Sequence, residues 1–173
     1  MAGDQMTGDN NFEKKAAESL DDSRGDNVRL PPPLIFLVLL LAGAGLEFLL
    51  PTTLGIPRPL AVAGLALVLF GIAVAILVNA EFKRRNTRIE PWKPTTAIVT
   101  TGFYRFSRNP IYLGFCLVDV GIGMYSDSIW IVAAAIPTVV LLYFFVIVKE
   151  EAYLEQKFGD EYLRYKSQVR RWL

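Results

Sequence analysis

The sequence predicts an all-α integral membrane protein with about four transmembrane helices and a C-terminal amphipathic helix at the membrane interface. Two observations predict this class. Hydrophobic residues make up 53% of the 173 residues, above the roughly 45–50% of a soluble domain, and they gather in four long stretches nearly free of charge. The basic residues fall on alternate connecting segments, which predicts an orientation. We therefore expect the lipid bilayer to be a main partner of this chain.

The first 30 residues are polar, with seven acidic and four basic side chains and no apolar run. A segment of this composition cannot bury enough apolar surface to fold, so residues 1–30 are predicted to be a disordered tail. Three prolines, at positions 31–33, end the tail. Residues 31–173 are predicted to form a single membrane domain.

Four apolar stretches follow the tail, and a spanning helix needs about 20 residues. The expected spans are 34–50, 60–80, 110–126 and 129–148. The third stretch is the shortest. A re-entrant hairpin formed by the third and fourth stretches is therefore an alternative to two full spans.

The orientation follows from the connecting segments. Seventeen of the 18 Lys and Arg residues lie in the N-terminal tail, in the segment 81–110 and in the C-terminal segment from Lys149, whereas the other connections carry only Arg58. Basic side chains favour the cytoplasmic face of a membrane. Both termini and the segment 81–110 are thus predicted to be cytoplasmic.

Several function classes are excluded by composition. The net charge of +1 argues against a nucleic-acid partner bound through bulk charge. The chain has no histidine and a single cysteine, Cys116, which excludes histidine-based catalysis, an intramolecular disulfide and a His- or Cys-rich metal site. We expect no metal, and the sequence indicates no particular oligomeric state.

The first candidate for chemistry is the segment GFYRFSRNPIYLG, residues 102–114. Pro110 suits the first position of a helix, with Asn109 as its N-cap. The free N–H groups of a helix N-terminus attract anions, and Arg105 and Arg108 lie just before it. We predict a carboxylate or phosphate site here, with binding of lipid headgroups by the two arginines as the alternative.

The second candidate is the acidic pair Glu150 and Glu151, which stands where the last span ends. Basic side chains are expected at this position, so an acidic pair indicates a cationic partner. That partner is Arg105, Arg108 or a bound cation. Asp119, near the middle of the third span, also needs a partner, either a ligand or a structural hydrogen bond.

The C-terminal segment carries an apolar and aromatic stripe at spacings of three and four residues. It consists of Leu154, Phe158, Tyr162, Tyr165, Val169 and Trp172. This stripe predicts an interfacial helix over about 150–172, although Gly159 interrupts the pattern. Gly114, Gly121 and Gly123 in the third span allow either close helix packing or space for a ligand.

Together these segments resemble the isoprenylcysteine carboxyl methyltransferase and phospholipid methyltransferase superfamily. Its first motif is Gly-x-Tyr-Arg-x-x-Arg-(His or Asn)-Pro-x-Tyr-x-Gly, matched here by Gly102, Tyr104, Arg105, Arg108, Asn109, Pro110, Tyr112 and Gly114. Its second motif is a Glu pair followed by Leu-x-x-x-Phe-Gly-x-x-Tyr-x-x-Tyr, matched by Glu150, Glu151, Leu154, Phe158, Gly159, Tyr162 and Tyr165. The Val169–Arg171 ending is similar to the family's tail. The resemblance runs from about Thr95 to the C-terminus.

The resemblance implies a methyltransferase that uses S-adenosylmethionine, releases S-adenosylhomocysteine and holds the cofactor on the cytoplasmic side. The implied acceptor is an amphiphile from the bilayer, either isoprenylcysteine carboxylate-like or a phospholipid or isoprenoid lipid. Carried over by position, the cofactor-binding residues are Tyr104, Asn109, Pro110, Tyr112, Gly114, Glu150 and Glu151. The catalytic candidates are Arg105 and Arg108, which would orient a carboxylate, and Glu151, which would accept a proton from a phospholipid amine.

Two alternatives to this function remain. One is a non-catalytic membrane protein that retains the fold. The other is a membrane oxidoreductase like the sterol reductases, whose C-terminal half resembles the same fold but whose chains are much longer and use a nicotinamide cofactor. The short chain and the Glu pair argue against the second alternative.

Overall fold

The computed structural model describes residues 30–85 and 95–173, which form helices and connections with no strand in these ranges. The elements are α1 Pro32–Leu49, α2 Arg58–Arg84, a 3₁₀ turn Gly102–Arg105, α3 Pro110–Tyr125, α4 Ile129–Leu142, a π-helical turn Tyr143–Ile147, α5 Val148–Phe158 and α6 Asp160–Gln168. The predicted disordered tail lies, except for Leu30, outside the described residues. Residues 86–94 of the central segment lie outside them as well.

Three helices of the described chain are long and apolar enough to cross a membrane. They are α1, α2 and a continuous helix Ile129–Phe158, in which the π-helical turn joins α4 to α5. The fourth apolar helix, α3, has 16 residues and is therefore about 24 Å long, against a hydrocarbon core of about 30 Å. The chain is thus an all-helical integral membrane protein, while four full spans and cytoplasmic termini stay predictions.

The C-terminal region differs from the single interfacial helix that the sequence predicts over about 150–172. The last long helix continues past the expected end of the span at 148 and stops at Phe158. Gly159 then adopts φ 51°, a backbone conformation that side chains disfavour, and α6 runs only from Asp160 to Gln168. Val169 is extended. The prediction of one helix is wrong because the glycine redirects the chain.

Glycines bring α2 and α3 into backbone contact. A Cβ placed on Gly71 would lie 2.6 Å from the carbonyl oxygen of Gly114, and one on Gly121 would lie 2.5 Å from that of Gly64. Any larger side chain at these positions would force the helices apart. Of the two roles left open by the sequence, Gly114 and Gly121 therefore serve helix packing. Gly114 faces α2.

One end of the bundle is formed by the α1–α2 loop, residues 50–57, and the turn 126–128; we call it the short-loop end. Glu47 accepts hydrogen bonds there from the Thr52 amide at 2.7 Å, the Thr52 hydroxyl at 2.6 Å and the Ser128 hydroxyl at 2.6 Å. Ser128 is fully buried and accepts from the Ile131 amide, which caps α4. Glu47 thus joins the loop to the turn.

Asp119 is fully buried in the middle of the bundle and faces Thr138 of α4. The Thr138 hydroxyl oxygen lies 3.1 Å from Oδ2 of Asp119 and 2.8 Å from the Ala134 carbonyl oxygen. Oδ1 of Asp119 has no hydrogen-bond partner among the described residues. Since the single hydroxyl proton of Thr138 can serve only one of these acceptors well, the contact between Asp119 and Thr138 is satisfied best when Asp119 carries a proton.

Candidate functional site

The opposite end of the bundle, which we call the motif end, is formed by residues 101–110, Glu150 and Glu151, and the segment 160–172. Asn109 occupies the N-cap position of α3 and Pro110 its first turn, as the sequence predicts. The Asn109 side chain, however, does not cap the helix. Its Nδ2 donates to the Arg171 carbonyl oxygen at 3.0 Å, while its backbone N–H donates to the Ser107 hydroxyl at 3.1 Å.

Arg108 is buried inside the motif end, with 9% of its side chain exposed. One of its terminal nitrogens lies 3.2 Å from Oε1 of Glu151 and 3.4 Å from the Tyr162 hydroxyl. Its Nε is also buried, and no described residue accepts a hydrogen bond from it. A buried guanidinium N–H without an acceptor is costly, so the Nε of Arg108 is a donor that the described residues leave unsatisfied.

Arg105 does not join Arg108, although the sequence places the two arginines in one site. It ends the 3₁₀ turn, its side chain is exposed, and it forms no hydrogen bond or ion pair with any described residue. The short turn directs the two side chains differently. The cationic partner of the acidic pair is therefore Arg108 and not Arg105.

The second cation of the cluster is Arg171, which the sequence reasoning did not select. Its Nε and one terminal nitrogen donate to the two carboxylate oxygens of Glu151 at 2.9 and 2.8 Å, and its guanidinium carbon lies 5.0 Å from the centre of the Tyr143 ring. Hydrogen bonding to Glu151 raises the pKa of Arg171 above its ordinary value, so the group stays charged. The only sequence signal was the likeness of the Val169–Arg171 ending to the family's tail.

The two adjacent acids have different partners because neighbouring helical positions point about 100° apart. Glu151 lies between the two guanidinium groups and is buried. Glu150 instead accepts a hydrogen bond from the Tyr112 hydroxyl at 2.6 Å. The motif end thus brings Tyr112 of the first motif against the acidic pair of the second.

Helix α6 covers the loop with its tyrosines. Tyr162 and Tyr165 are buried, and the Tyr165 hydroxyl donates to the Tyr104 carbonyl oxygen at 2.8 Å. Burial, and then the charge of Glu151, raise the pKa of Tyr162 to about 12, so its hydroxyl is neutral at physiological pH. Tyr162 and Tyr165 belong to the aromatic stripe that the sequence places in the membrane interface. In the structure, these two side chains pack against the segment 101–110 instead.

A cavity of about 190 Å³ lies on the other side of the 3₁₀ turn, at the end of α2. Its lining includes Leu77, Phe103 and Tyr104 together with Glu81 and Arg84. The cavity therefore offers both apolar and charged walls, and the sequence reasoning did not find it. The part of the chain that the structure describes holds no group of three His, Cys, Asp or Glu residues suited to a metal ion.

Comparison with known proteins identifies the family to which this chain is similar. Residues 60–161, more than half of the chain, match the model of the phospholipid methyltransferase family. The chain is 38% identical over 74 residues to a protein-S-isoprenylcysteine O-methyltransferase of Schizosaccharomyces pombe, covering 42% of this chain and 30% of that protein. It is 72% identical over 29 residues to an uncharacterized protein of Haemophilus influenzae, covering 17% of this chain and 46% of that protein. The chain thus matches less than half the length of each relative. By its family match, it belongs to the phospholipid methyltransferase family.

Proposed function

We propose that this protein transfers a methyl group from S-adenosylmethionine to an amphiphilic acceptor in the membrane. The acceptor class is an isoprenylcysteine carboxylate-like group or a phospholipid or isoprenoid lipid. Family membership and the name of the yeast relative support methyl transfer. The single observation that supports the cofactor is the cluster at the motif end, where a buried arginine with an open donor stands beside two acids.

The residues of the motif end fit the charges of that cofactor. S-Adenosylmethionine carries a carboxylate, an ammonium group and a sulfonium group. The unpartnered Nε of Arg108 and the N-terminus of α3 are suited to the carboxylate. Glu150 and Glu151 are suited to the two positive groups. When bound, the cofactor would supply a methyl group to a nucleophile.

The chain itself would act mainly by positioning and by excluding water. Both oxygens of Glu151 already accept hydrogen bonds from Arg171, and Oε1 also faces Arg108, so Glu151 holds the arginines in place. Glu150 has a neutral hydroxyl as its partner. If the acceptor is a phospholipid amine, the geometry therefore favours Glu150 over Glu151 as the group that takes its proton. An acceptor carboxylate or thiolate needs no such base.

The cavity at the end of α2 supports an amphiphilic acceptor. Leu77, on its wall, is exposed on the apolar surface of α2, whereas Glu81 and Arg84 give the same cavity a polar side. Tyr104 lines this cavity, and its carbonyl oxygen also accepts from Tyr165 of the motif end. We place the acceptor headgroup near Tyr104, with the site facing the cytoplasm, as the distribution of basic residues favours.

The test is calorimetric titration of detergent-purified protein with S-adenosylmethionine and S-adenosylhomocysteine. We expect saturable binding of both, weakened about 30-fold or more in Glu151→Gln, because that change leaves two guanidinium groups without their anion. Glu155→Gln is the matched control: it removes the same charge from the same helix at a residue that pairs with the half-exposed Lys166. Absence of binding in folded parent protein would favour a non-catalytic protein that retains the fold.

A further inference from the structure

Arg171 already binds the carboxylate of Glu151, which a cationic cofactor would need as its anionic partner. It donates to both oxygens of Glu151 at 2.9 and 2.8 Å, which is the two-pronged geometry of a strong arginine–carboxylate pair. The full charges of the four clustered side chains, Arg108, Arg171, Glu150 and Glu151, sum to zero. A ligand that carries two positive groups and one negative group would therefore find Glu151 already neutralised.

We propose that Arg171 is an exchangeable counter-ion, which holds Glu151 in the ligand-free protein and yields it to the cationic part of S-adenosylmethionine. This inference rests on the proposed function. The release of Arg171 leaves the motif end one charge more negative, which suits a ligand of net charge +1. The site then distinguishes the sulfonium cofactor from S-adenosylhomocysteine, whose sulfur is neutral.

The surroundings decide which arginine moves. The side chain of Arg108 is 9% exposed, whereas that of Arg171 is 32% exposed and can reach solvent. Arg171 also has a second partner in Tyr143, whose ring and hydroxyl it contacts at 5.0 and 3.3 Å. Its guanidinium can therefore leave Glu151 for the aromatic ring and solvent at modest cost.

The backbone of the C-terminal segment does not need to move in this exchange. The Arg170 carbonyl oxygen accepts from the Arg108 amide at 3.0 Å, and the Arg171 carbonyl oxygen accepts from Asn109 and Ser107 at 3.0 and 3.3 Å. Trp172 packs against the buried core that includes Leu142. None of these contacts involves the guanidinium of Arg171. The exchange is thus a side-chain movement on a fixed segment.

A consequence for turnover follows. In methyl transfer, the acceptor nucleophile would form a bond to the methyl carbon as the bond from that carbon to the sulfonium sulfur breaks. The electron pair of the broken bond would stay on sulfur, which would become a neutral thioether. The product then competes less well for Glu151. Return of Arg171 to Glu151 would favour release of the product and restore the neutral site.

The experiment measures the affinities of S-adenosylmethionine and S-adenosylhomocysteine for the parent, Arg171→Gln and Arg170→Gln. Arg170 is the matched control, since it is exposed, carries the same charge one position away and forms no side-chain hydrogen bond or ion pair with a described residue. We expect Arg171→Gln to raise the preference for S-adenosylmethionine over S-adenosylhomocysteine by about tenfold, the value of one charge-assisted contact, with no change in Arg170→Gln. Arg171→Lys keeps the charge without the two-pronged contact and should show a smaller increase.

Thermal unfolding without acceptor gives a second readout. Arg171→Gln should lower the melting temperature of the ligand-free protein yet enlarge the upward shift caused by S-adenosylmethionine. Equal loss of affinity for both ligands would overturn the proposal and make Arg171 a fixed positioning residue. Identical behaviour of Arg171→Gln and Arg170→Gln would also overturn it. Absence of cofactor binding to the parent would overturn the proposed function itself, and this inference with it.

Discussion

Both ends of the bundle hold carboxylates that accept several hydrogen bonds, but the donors differ in kind. At the short-loop end, Glu47 is surrounded by neutral donors from Thr52 and Ser128, and Asp127 accepts from the amides of Leu54 and Gly55. At the motif end, Glu151 lies between two guanidinium groups. The first arrangement closes a loop, whereas the second concentrates charge.

The two clusters also differ in whether every hydrogen-bond donor within them has an acceptor. The donors around Glu47 are amides and hydroxyls of the loop and turn that it joins, so that cluster accounts for its own hydrogen bonds. The cluster around Glu151 combines the loop before α3, helix α5 and the C-terminal segment, and it still leaves Arg108 Nε without an acceptor. A polar cluster closed on itself indicates structure. A charged cluster that leaves a buried donor unsatisfied is the candidate for ligand binding.

The largest expected effect comes from Arg108→Lys at the motif end. A lysine can keep an ion pair with Glu151 but cannot offer the planar set of donors that fits a carboxylate, so we expect affinity for S-adenosylmethionine to fall about 100-fold. Calorimetric titration measures it. Arg105→Lys is the control and should change affinity by less than about twofold, since Arg105 is exposed and outside the cluster. Equal losses of affinity in Arg108→Lys and Arg105→Lys would contradict the assignment of Arg108, and not Arg105, to the ligand site.

A moderate effect, on stability alone, is expected from Glu47→Gln at the short-loop end. The amide nitrogen cannot accept one of the hydrogen bonds that Glu47 takes from Thr52 and Ser128, which should lower the free energy of unfolding. Denaturant unfolding in detergent measures the loss. Methyl transfer per folded molecule should be unchanged. A loss of methyl transfer in folded Glu47→Gln protein would show that the short-loop end takes part in function and would contradict its purely structural role.

The smallest effect is expected from Asp119→Asn, between the two ends. Because the hydrogen bonds of Thr138 are satisfied best by a protonated Asp119, a neutral amide of the same shape should change the free energy of unfolding by less than about 1 kcal/mol. Unfolding and methyl transfer are measured together. Loss of methyl transfer with unchanged stability would assign Asp119 to the ligand instead, the alternative that the sequence left open.

Local pattern was sufficient for the apolar helices and for part of the charged cluster, but not for the break at Gly159. The start of α3 at Pro110 follows from the fixed φ of proline. An acidic pair where a membrane favours bases predicted a cationic partner, and Arg108 beside Glu151 is one of the three alternatives that the sequence left open. The separation of Arg105 from Arg108 could not be predicted. Spacing along a loop does not define direction, and here a 3₁₀ turn leaves Arg105 exposed while Arg108 is buried.

The sequence by itself determined the class of protein, the apolar helices, both motifs and the family that they resemble, because hydropathy and motif spacing are properties of neighbouring residues. Only the tertiary structure decided that Arg171 reaches Glu151. That contact depends on a left-handed glycine, Gly159, and an extended Val169, which turn the chain back across the motif end. Long-range contacts of this kind are set by the sum of such turns, which no local pattern encodes.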